Sequence, residues 1–355
     1  MVNINSSNLW PIRFRSESIK SKILERREEG NYVEKTRTTE RRFDPLTGQT
    51  CRLVEFPMSR IRRPDIEGIV QQSQESGCPF CPPIIERVIP RFPPELVPQG
   101  VIQRGNALLF PNARPYDVYC AVVVISKEHF ISLTDFTLDI LHDALMAAHA
   151  YLKAIQKADP EAKYNLLAWN YFPPSGGSIV HPHIQCNIGY SPTFYQKQII
   201  EASGRYHQAT GANFWNDLIE LEMKLGQRYI GATGNTQWLS TFAPRGRLMD
   251  VLAVFPGKAS VLELSEEDLR DFAKGLLNVF GYMDKLNLLS FNLSTYSGLD
   301  RNQFWAHVRV IPRSLLLYSP IETSDQFYYQ ILHDENVCFF SPEIACENLK
   351  KQFAT

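Results

Sequence analysis

One order of elements occurs twice in this chain, and that repetition limits its fold more than any single motif does. Residues 107–110 lead into Phe110-Pro111, then to Asp117-Val118 and a β-branched run ending at Ile125. Apolar residues at 138, 141, 145, 148, 152 and 155 follow at helical spacing, and strand-like segments come next at 164–170 and 180–188. The order recurs from Thr241-Phe242-Ala243-Pro244. There, an apolar run reaches Phe255, a helix behind the N-cap candidate Ser265 carries Leu269, Phe272, Leu276 and Phe280 on one face, and strands are predicted at 288–294 and 305–312. Strand, strand, helix, strand, strand, twice over, reads as an internal duplication. It predicts an α+β protein of two tandem half-domains with antiparallel sheets flanked by helices. Residues 190–235 are expected to link them. The boundaries drawn are 1–42 for an N-terminal extension, 43–205 for the first half and 206–355 for the second. The copies diverge in chemistry, because His129 of the first is Ser260 in the second.

A chain of 355 residues exceeds what one core usually serves, which agrees with two halves. Lys+Arg 37 against Asp+Glu 38 leaves a formal net charge of -1, which argues against a nucleic-acid partner. The longest apolar stretch, 120–125, falls far short of the ~20 residues that span a bilayer, so no membrane partner is expected. Residues 1–15 carry Arg13 and Arg15 without an apolar core, so no signal peptide is read and a cytoplasmic protein is expected. Residues 1–42 mix charges densely around Ile19, Ile23 and Leu24 and are read as a solvated arm. Seven cysteines, an odd number, do not suggest a disulfide framework. Cys120, Cys186, Cys338 and Cys346 sit among apolar residues and are read as buried thiols. Cys78-Pro79-Phe80-Cys81 differs, since two sulfurs at this spacing can face one ion.

The segment 164–170 runs into Tyr171-Phe172-Pro173-Pro174-Ser175-Gly176-Gly177-Ser178 and then Ile179-Val180-His181-Pro182-His183-Ile184-Gln185. On a strand, positions 181, 183 and 185 share one face at ~7 Å intervals. Alternation alone fits a solvated strand face equally well. The loop just ahead, which can offer the N–H groups of Gly176, Gly177 and Ser178 to a phosphate, shifts the balance to a site.

These residues resemble the galactose-1-phosphate uridylyltransferases of the histidine-triad superfamily. His181-Pro182-His183-Ile184-Gln185 is similar to that family's His-Pro-His-Gly-Gln, with Ile184 in place of the glycine. Asp44-Pro45-Leu46-Thr47-Gly48 with Arg60-Ile61-Arg62-Arg63-Pro64 resembles its N-terminal signature, and Cys78 to Cys81 and Lys127-Glu128-His129 resemble further segments. The resemblance covers 43–190 and, more weakly, 236–350. It implies two histidine-triad-like half-domains and a homodimer. It also implies that His183 is the nucleophile that takes a nucleotidyl group and that Gln185 binds phosphate. Arg60, Arg63, Asn106, Asn170, Gly176, Gly177, Ser178 and Gln330 would contact substrate. Cys78, Cys81, His129 and His181 would hold a structural Zn(2+) in a closed Cys2His2 set.

The second half departs from the family. His307 is present, but Arg309 stands where another histidine is expected, so no second metal is predicted. Tyr329-Gln330 replaces a Tyr-Glu pair that grips sugar hydroxyls, and near Arg104-Gly105-Asn106 only Asn106 matches the base-recognition stretch. Three functions are carried forward. The first is a nucleotidyltransferase that moves an NMP from a nucleotide-sugar to a sugar 1-phosphate. The second is a phosphorylase that splits ADP-sugars or dinucleoside polyphosphates with inorganic phosphate. The third is a nucleotide-binding protein without catalysis.

Overall fold

The computed structural model describes residues 11–354 apart from 29, 55–60, 62, 64, 319 and 320. The duplication is visible in the order of a ten-stranded sheet. Its first half is β4 (Ile102–Arg104), β5 (Ala107–Pro111), β6 (Tyr119–Val124), β8 (His183–Gly189) and β7 (Tyr164–Tyr171). The second half runs on from β7 as β12 (Ser290–Tyr296), β13 (His307–Arg313), β11 (Val251–Val254), β10 (Thr236–Ser240) and β9 (Tyr229–Thr233). Read outward from the β7–β12 seam, the two quintets follow the same order. The expected half-domain sheets are therefore fused, with Asn170 opposite Asn292 and Ala168 opposite Ser294 across the seam.

The two long helices form where the apolar spacing predicted. Thr137 caps α3 (Leu138–Ala158) by accepting from the N–H of Ile140. Ser265 and Asp268 close a capping box at the start of α6 (Glu266–Lys285), which satisfies N–H groups that have no partner inside the helix. Leu141, Leu145, Leu152 and Ile155 of α3 and Phe272, Leu276 and Phe280 of α6 join one core. Ile184 and Cys186 belong to that core as well. Strand alternation therefore sends His183 and Gln185 to the opposite face.

Residues 190–235 are corrected from a linker to structure. They form α4 (Phe194–Thr210), α5 (Phe214–Leu225) and β9. Ile199, Phe214, Trp215 and Leu218 pack with Leu239, Leu252 and Val254 in a second core on the sheet's other face. Asn213 caps α5 and Gly211 ends α4 in the left-handed region, so helix punctuation is present within the segment read as a linker. The boundary drawn after 205 falls inside α4.

The N-terminal arm is an ordered hairpin, β1 (Arg15–Arg26) paired with β2 (Tyr32–Phe43). It is mostly exposed, as its charge density implied, but its base joins β3 (Thr50–Leu53) and β16 (Asn336–Cys338) in a separate sheet. A charged network fastens that base to the second half. Arg42 and Arg228 donate to Glu343 of α8 (Pro342–Phe353) at 2.8 and 2.9 Å, and Arg228 donates to Glu222 at 2.7 Å. Both arginine side chains are buried, at 10% and 3% exposure. Burial by itself would raise the Glu343 carboxyl, yet Arg42 and then Arg228 hold it down at about 2. Its contribution to stability is therefore present above the ordinary carboxylate range and is lost as the pH falls toward 2. Glu343→Ala leaves two buried guanidiniums short of an acceptor and should cost about 3 kcal/mol in urea unfolding at neutral pH. A loss below about 1 kcal/mol would show that solvent replaces the carboxylate there.

Candidate active site and metal centre

His183 is the first residue of β8, and this corrects the predicted strand at 180–188. His181 lies in a bend just before the strand, and the alternation still holds. Val180, Ile184 and Cys186 enter one core, while His181 and His183 both meet the Phe80 ring on the other side. The bend lets them serve different centres. The Nδ1–H of His183 donates to the carbonyl oxygen of His181 at 2.8 Å, which fixes the tautomer and leaves the Nε2 lone pair for chemistry. Burial lowers the pKa of His183, so the ring is the neutral nucleophilic form, and at 8% exposure it stays within reach of a ligand. Phe80 stands edge-on to it with ring centroids 5.3 Å apart. Gln185, two residues along the same strand face, is half-buried, and its amide has no partner among the described residues.

The loop between β7 and β8 departs from ordinary backbone geometry. Phe172 has φ 70 and Gly176 has φ 85. A side chain at Gly177 would meet the Asn170 carbonyl oxygen at 2.9 Å. Of the three N–H groups expected to face a phosphate, that of Gly176 donates instead to the Pro173 carbonyl at 2.8 Å, because a tight turn forms there. The N–H groups of Gly177 and Ser178 have no partner among the described residues. Asn170 is exposed at the end of β7, in line with the His183 end of β8.

Cys78, Cys81, His129 and His181 come together so that one ligand atom from each lies within 4.8 Å of all the others. Cys81 Sγ is 3.2 Å from His129 Nδ1 and 3.5 Å from His181 Nδ1, and Cys78 Sγ is 3.8 Å from His181 Nδ1. Sulfur and nitrogen ligands of one tetrahedral ion sit roughly 3.5 Å apart, so the set fits a metal. The outer ring nitrogens support the same reading. His181 Nε2 is 2.8 Å from the Ser126 carbonyl oxygen, and His129 Nε2 is 2.8 Å from Ser73 Oγ on α1 (Ile66–Glu75). A hydrogen on each Nε2 leaves both Nδ1 lone pairs aimed at the centre. Burial lowers His181 to about 4, which keeps it in the ligating form, whereas burial and Cys78 push the Cys81 thiol up to about 11. A divalent cation is the partner that makes a thiolate pair favourable there.

Not every expected residue joins this site. Arg60 lies outside the described residues. Arg63 is exposed and has no hydrogen bond or ion pair among them. Asn106 is exposed in the turn between β4 and β5, at the edge of the sheet. Gln330 is on α7 (Tyr328–His333), where its Oε1 accepts from the Phe327 N–H. It lines a cavity of 220 Å³ with Arg245, Asn292, Arg313 and Asp325. In the second half, His307 repeats the geometry of His183, with Nδ1 3.0 Å from the Trp305 carbonyl oxygen. It is sealed by Trp215, whose ring centroid is 4.0 Å away, and Arg309 is paired with Asp250. Sequence reasoning missed Ser73, Asn292 and Arg313, because each acts across a long sequence separation and none belongs to a motif.

No family model matches the chain. An uncharacterized protein of Archaeoglobus fulgidus is 33% identical over 343 residues, covering 96% of this chain and 98% of that one. Among solved structures, an Arabidopsis thaliana GalT-like protein aligns at TM-score 0.67 with 15% identity over 88% of this chain and 98% of its own. An ADP-glucose phosphorylase from the same plant, with bound ADP-glucose, aligns at 0.65 with 15% identity over 88% and 99%. A uridylyltransferase aligns at 0.62 with 20% identity over 88% and 98%. This chain therefore belongs to one family with the Archaeoglobus fulgidus protein, a divergent branch built on the uridylyltransferase fold.

Proposed function

We propose that the chain is a nucleotidyltransferase that works by double displacement through His183. The observation that carries this reading is the neutral His183 ring with Nδ1–H held by the His181 carbonyl and Nε2 left free. Nε2 attacks the α-phosphorus of a nucleoside diphosphate sugar, a P–N bond forms, and the bond to the bridging oxygen breaks so that sugar 1-phosphate leaves with its electron pair. An acceptor phosphate oxygen then attacks the same phosphorus, the P–N bond breaks, and the imidazole is restored. Gln185 can donate an amide N–H to a non-bridging oxygen throughout, and it has no titratable proton to give. A phosphate leaving group with a second pKa near ~6 needs none at neutral pH. Gly177 and Ser178 supply backbone donors from the loop. Cys78, Cys81, His129 and His181 would hold zinc, which when bound ties the start of β8 to the Cys78–Cys81 turn and so steadies His183.

A second reading, phosphorolysis with inorganic phosphate as acceptor, is favoured by Gln330. An amide engaged with its own helix replaces the carboxylate that grips sugar hydroxyls in the family this chain resembles. The solved ADP-glucose phosphorylase belongs to the same fold. Intact mass after incubation with UDP-glucose, UDP-galactose, ADP-glucose, GDP-mannose or a dinucleoside tetraphosphate separates these readings. We expect a UMP adduct from the uridine donors, discharged by a sugar 1-phosphate. Discharge of an AMP adduct by inorganic phosphate alone would establish the second reading. Tight nucleotide binding with no adduct from any donor would overturn both.

A further inference from the structure

We propose that Asn292 and Arg313, both from the second half, orient the Asn170 amide so that its NH2 faces the nucleotide. The inference rests on the reading above, in which Asn170 touches the nucleotide, and it adds residues that no motif contains. Asn170 and Asn292 stand opposite each other across the β7–β12 seam. Asn292 Nδ2 donates to Asn170 Oδ1 at 2.7 Å and to the Ser175 carbonyl oxygen at 2.9 Å. Its Oδ1 accepts from Arg313 Nη1 at 2.6 Å. Arg313 Nε is 2.9 Å from both carboxylate oxygens of Asp325, which is 1% exposed.

The direction of this chain of bonds is set at its arginine end. A guanidinium has donors and no acceptor, so the atom of Asn292 that meets Arg313 must be its oxygen. The nitrogen of Asn292 then meets Asn170, and the atom of Asn170 that receives it must also be oxygen. The NH2 of Asn170, on an exposed residue, is left pointing away from Asn292 as a donor suited to a phosphate or ribose oxygen. The same Asn292 nitrogen ties down Ser175, just before the N–H groups of Gly177 and Ser178. The donor pattern of a site built by the first half is thus fixed by buried charge in the second.

Asn292 and Arg313 are positioning residues, so the test asks whether they act through Asn170. UMP and AMP dissociation constants would be measured by calorimetry on the full metal-loaded chain. Asn170→Ala and Asn292→Ala should each weaken binding about tenfold, and the double variant should fall well short of the hundredfold product, because residues acting as a unit are not additive. The small excess over either alone runs through Ser175. Asn292→Asp keeps its pairing with Arg313 but offers Asn170 only acceptors. It should turn the Asn170 oxygen towards the nucleotide and weaken binding more than Asn292→Ala does, with thermal stability retained. Placed in the Asn170→Ala background, Asn292→Asp should lose most of its effect and keep only the part that runs through the Ser175 carbonyl, whereas simple charge repulsion would persist in full there. Losses that multiply to about a hundredfold in the double variant would overturn the proposal. Unchanged binding in Asn170→Ala would overturn it together with the assignment of Asn170, while a mass adduct on His183 would still stand on its own.

Discussion

Incubated with its nucleotide donor and no acceptor, the wild-type chain should gain the mass of one NMP, and His183→Ala should gain nothing. Turnover should fall with it, on the order of 10⁴-fold or more, since removing a nucleophile leaves only binding and positioning. The expectation follows from the geometry around one ring. The Nδ1–H is committed to the His181 carbonyl at 2.8 Å, and Nε2 has no partner among the described residues. Burial keeps the imidazole neutral, so its lone pair is available without a separate base. Because His183 is not one of the four residues of the metal centre, His183→Ala should keep its metal content. That second readout separates loss of the nucleophile from loss of fold. His183→Gln, which can still donate to the His181 carbonyl, should preserve thermal stability more closely and form no adduct either. The bond to look for is a phosphoramidate, labile to acid and stable to mild base. A nucleotidyl mass that persists in His183→Ala would place the nucleophile elsewhere and end this reading of the site.

How far the sequence reached depended on which signals were local. The duplication was legible because Leu138 to Ile155 and Leu269 to Phe280 repeat a helical spacing between β-branched runs. Both helices followed from it, whereas the order of the strands and the fusion of the two half-sheets did not. The metal group was assembled from motifs at 78–81, 129 and 181 by resemblance, and the fold brings all four side chains within one coordination sphere. What escaped notice depended on pairing across long separations. Alternation put His181, His183 and Gln185 on one face, but it gave no sign that regular strand begins only at His183, after a bend at His181. The Pro182 carbonyl accepts from the Ile125 N–H at 3.1 Å, an interaction that nothing within 181–185 announces. The seam between β7 and β12 is likewise invisible to periodicity, so the Asn170–Asn292 contact could not be read. The segment 190–235 failed for another reason. The apolar residues of α5 bury against the sheet face opposite the duplicated core, which the repeat gave no cause to expect.

Cys81→Ser should lose bound metal and thermal stability together. The purified wild-type chain should hold about one zinc per chain, because four N and S ligands with no open position make a closed site. The sulfur of Cys81 lies 3.2 Å from His129 Nδ1 and 3.5 Å from His181 Nδ1, nearer to the histidine nitrogens than Cys78 does. Serine offers a weaker, harder ligand at neutral pH, and the remaining three groups cannot close a tetrahedron. Structural metal binding contributes folding energy directly, so the variant should melt well below the wild type and lose the dependence of its melting temperature on added chelator. The effect should reach the active site through His181. Without an ion on its Nδ1, the bend that presents the His181 carbonyl to His183 keeps the bond from its Nε2 to the Ser126 carbonyl at 2.8 Å and the bond from Ile125 N–H to the Pro182 carbonyl, but loses its tie to the Cys78–Cys81 turn. Adduct formation on His183 should therefore slow in Cys81→Ser even at temperatures where the chain stays folded. Unchanged metal content in this variant, measured by mass spectrometry of the ion, would remove Cys81 from the ligand set. Lost metal with an unchanged rate of adduct formation would show instead that the centre steadies the fold and leaves His183 alone.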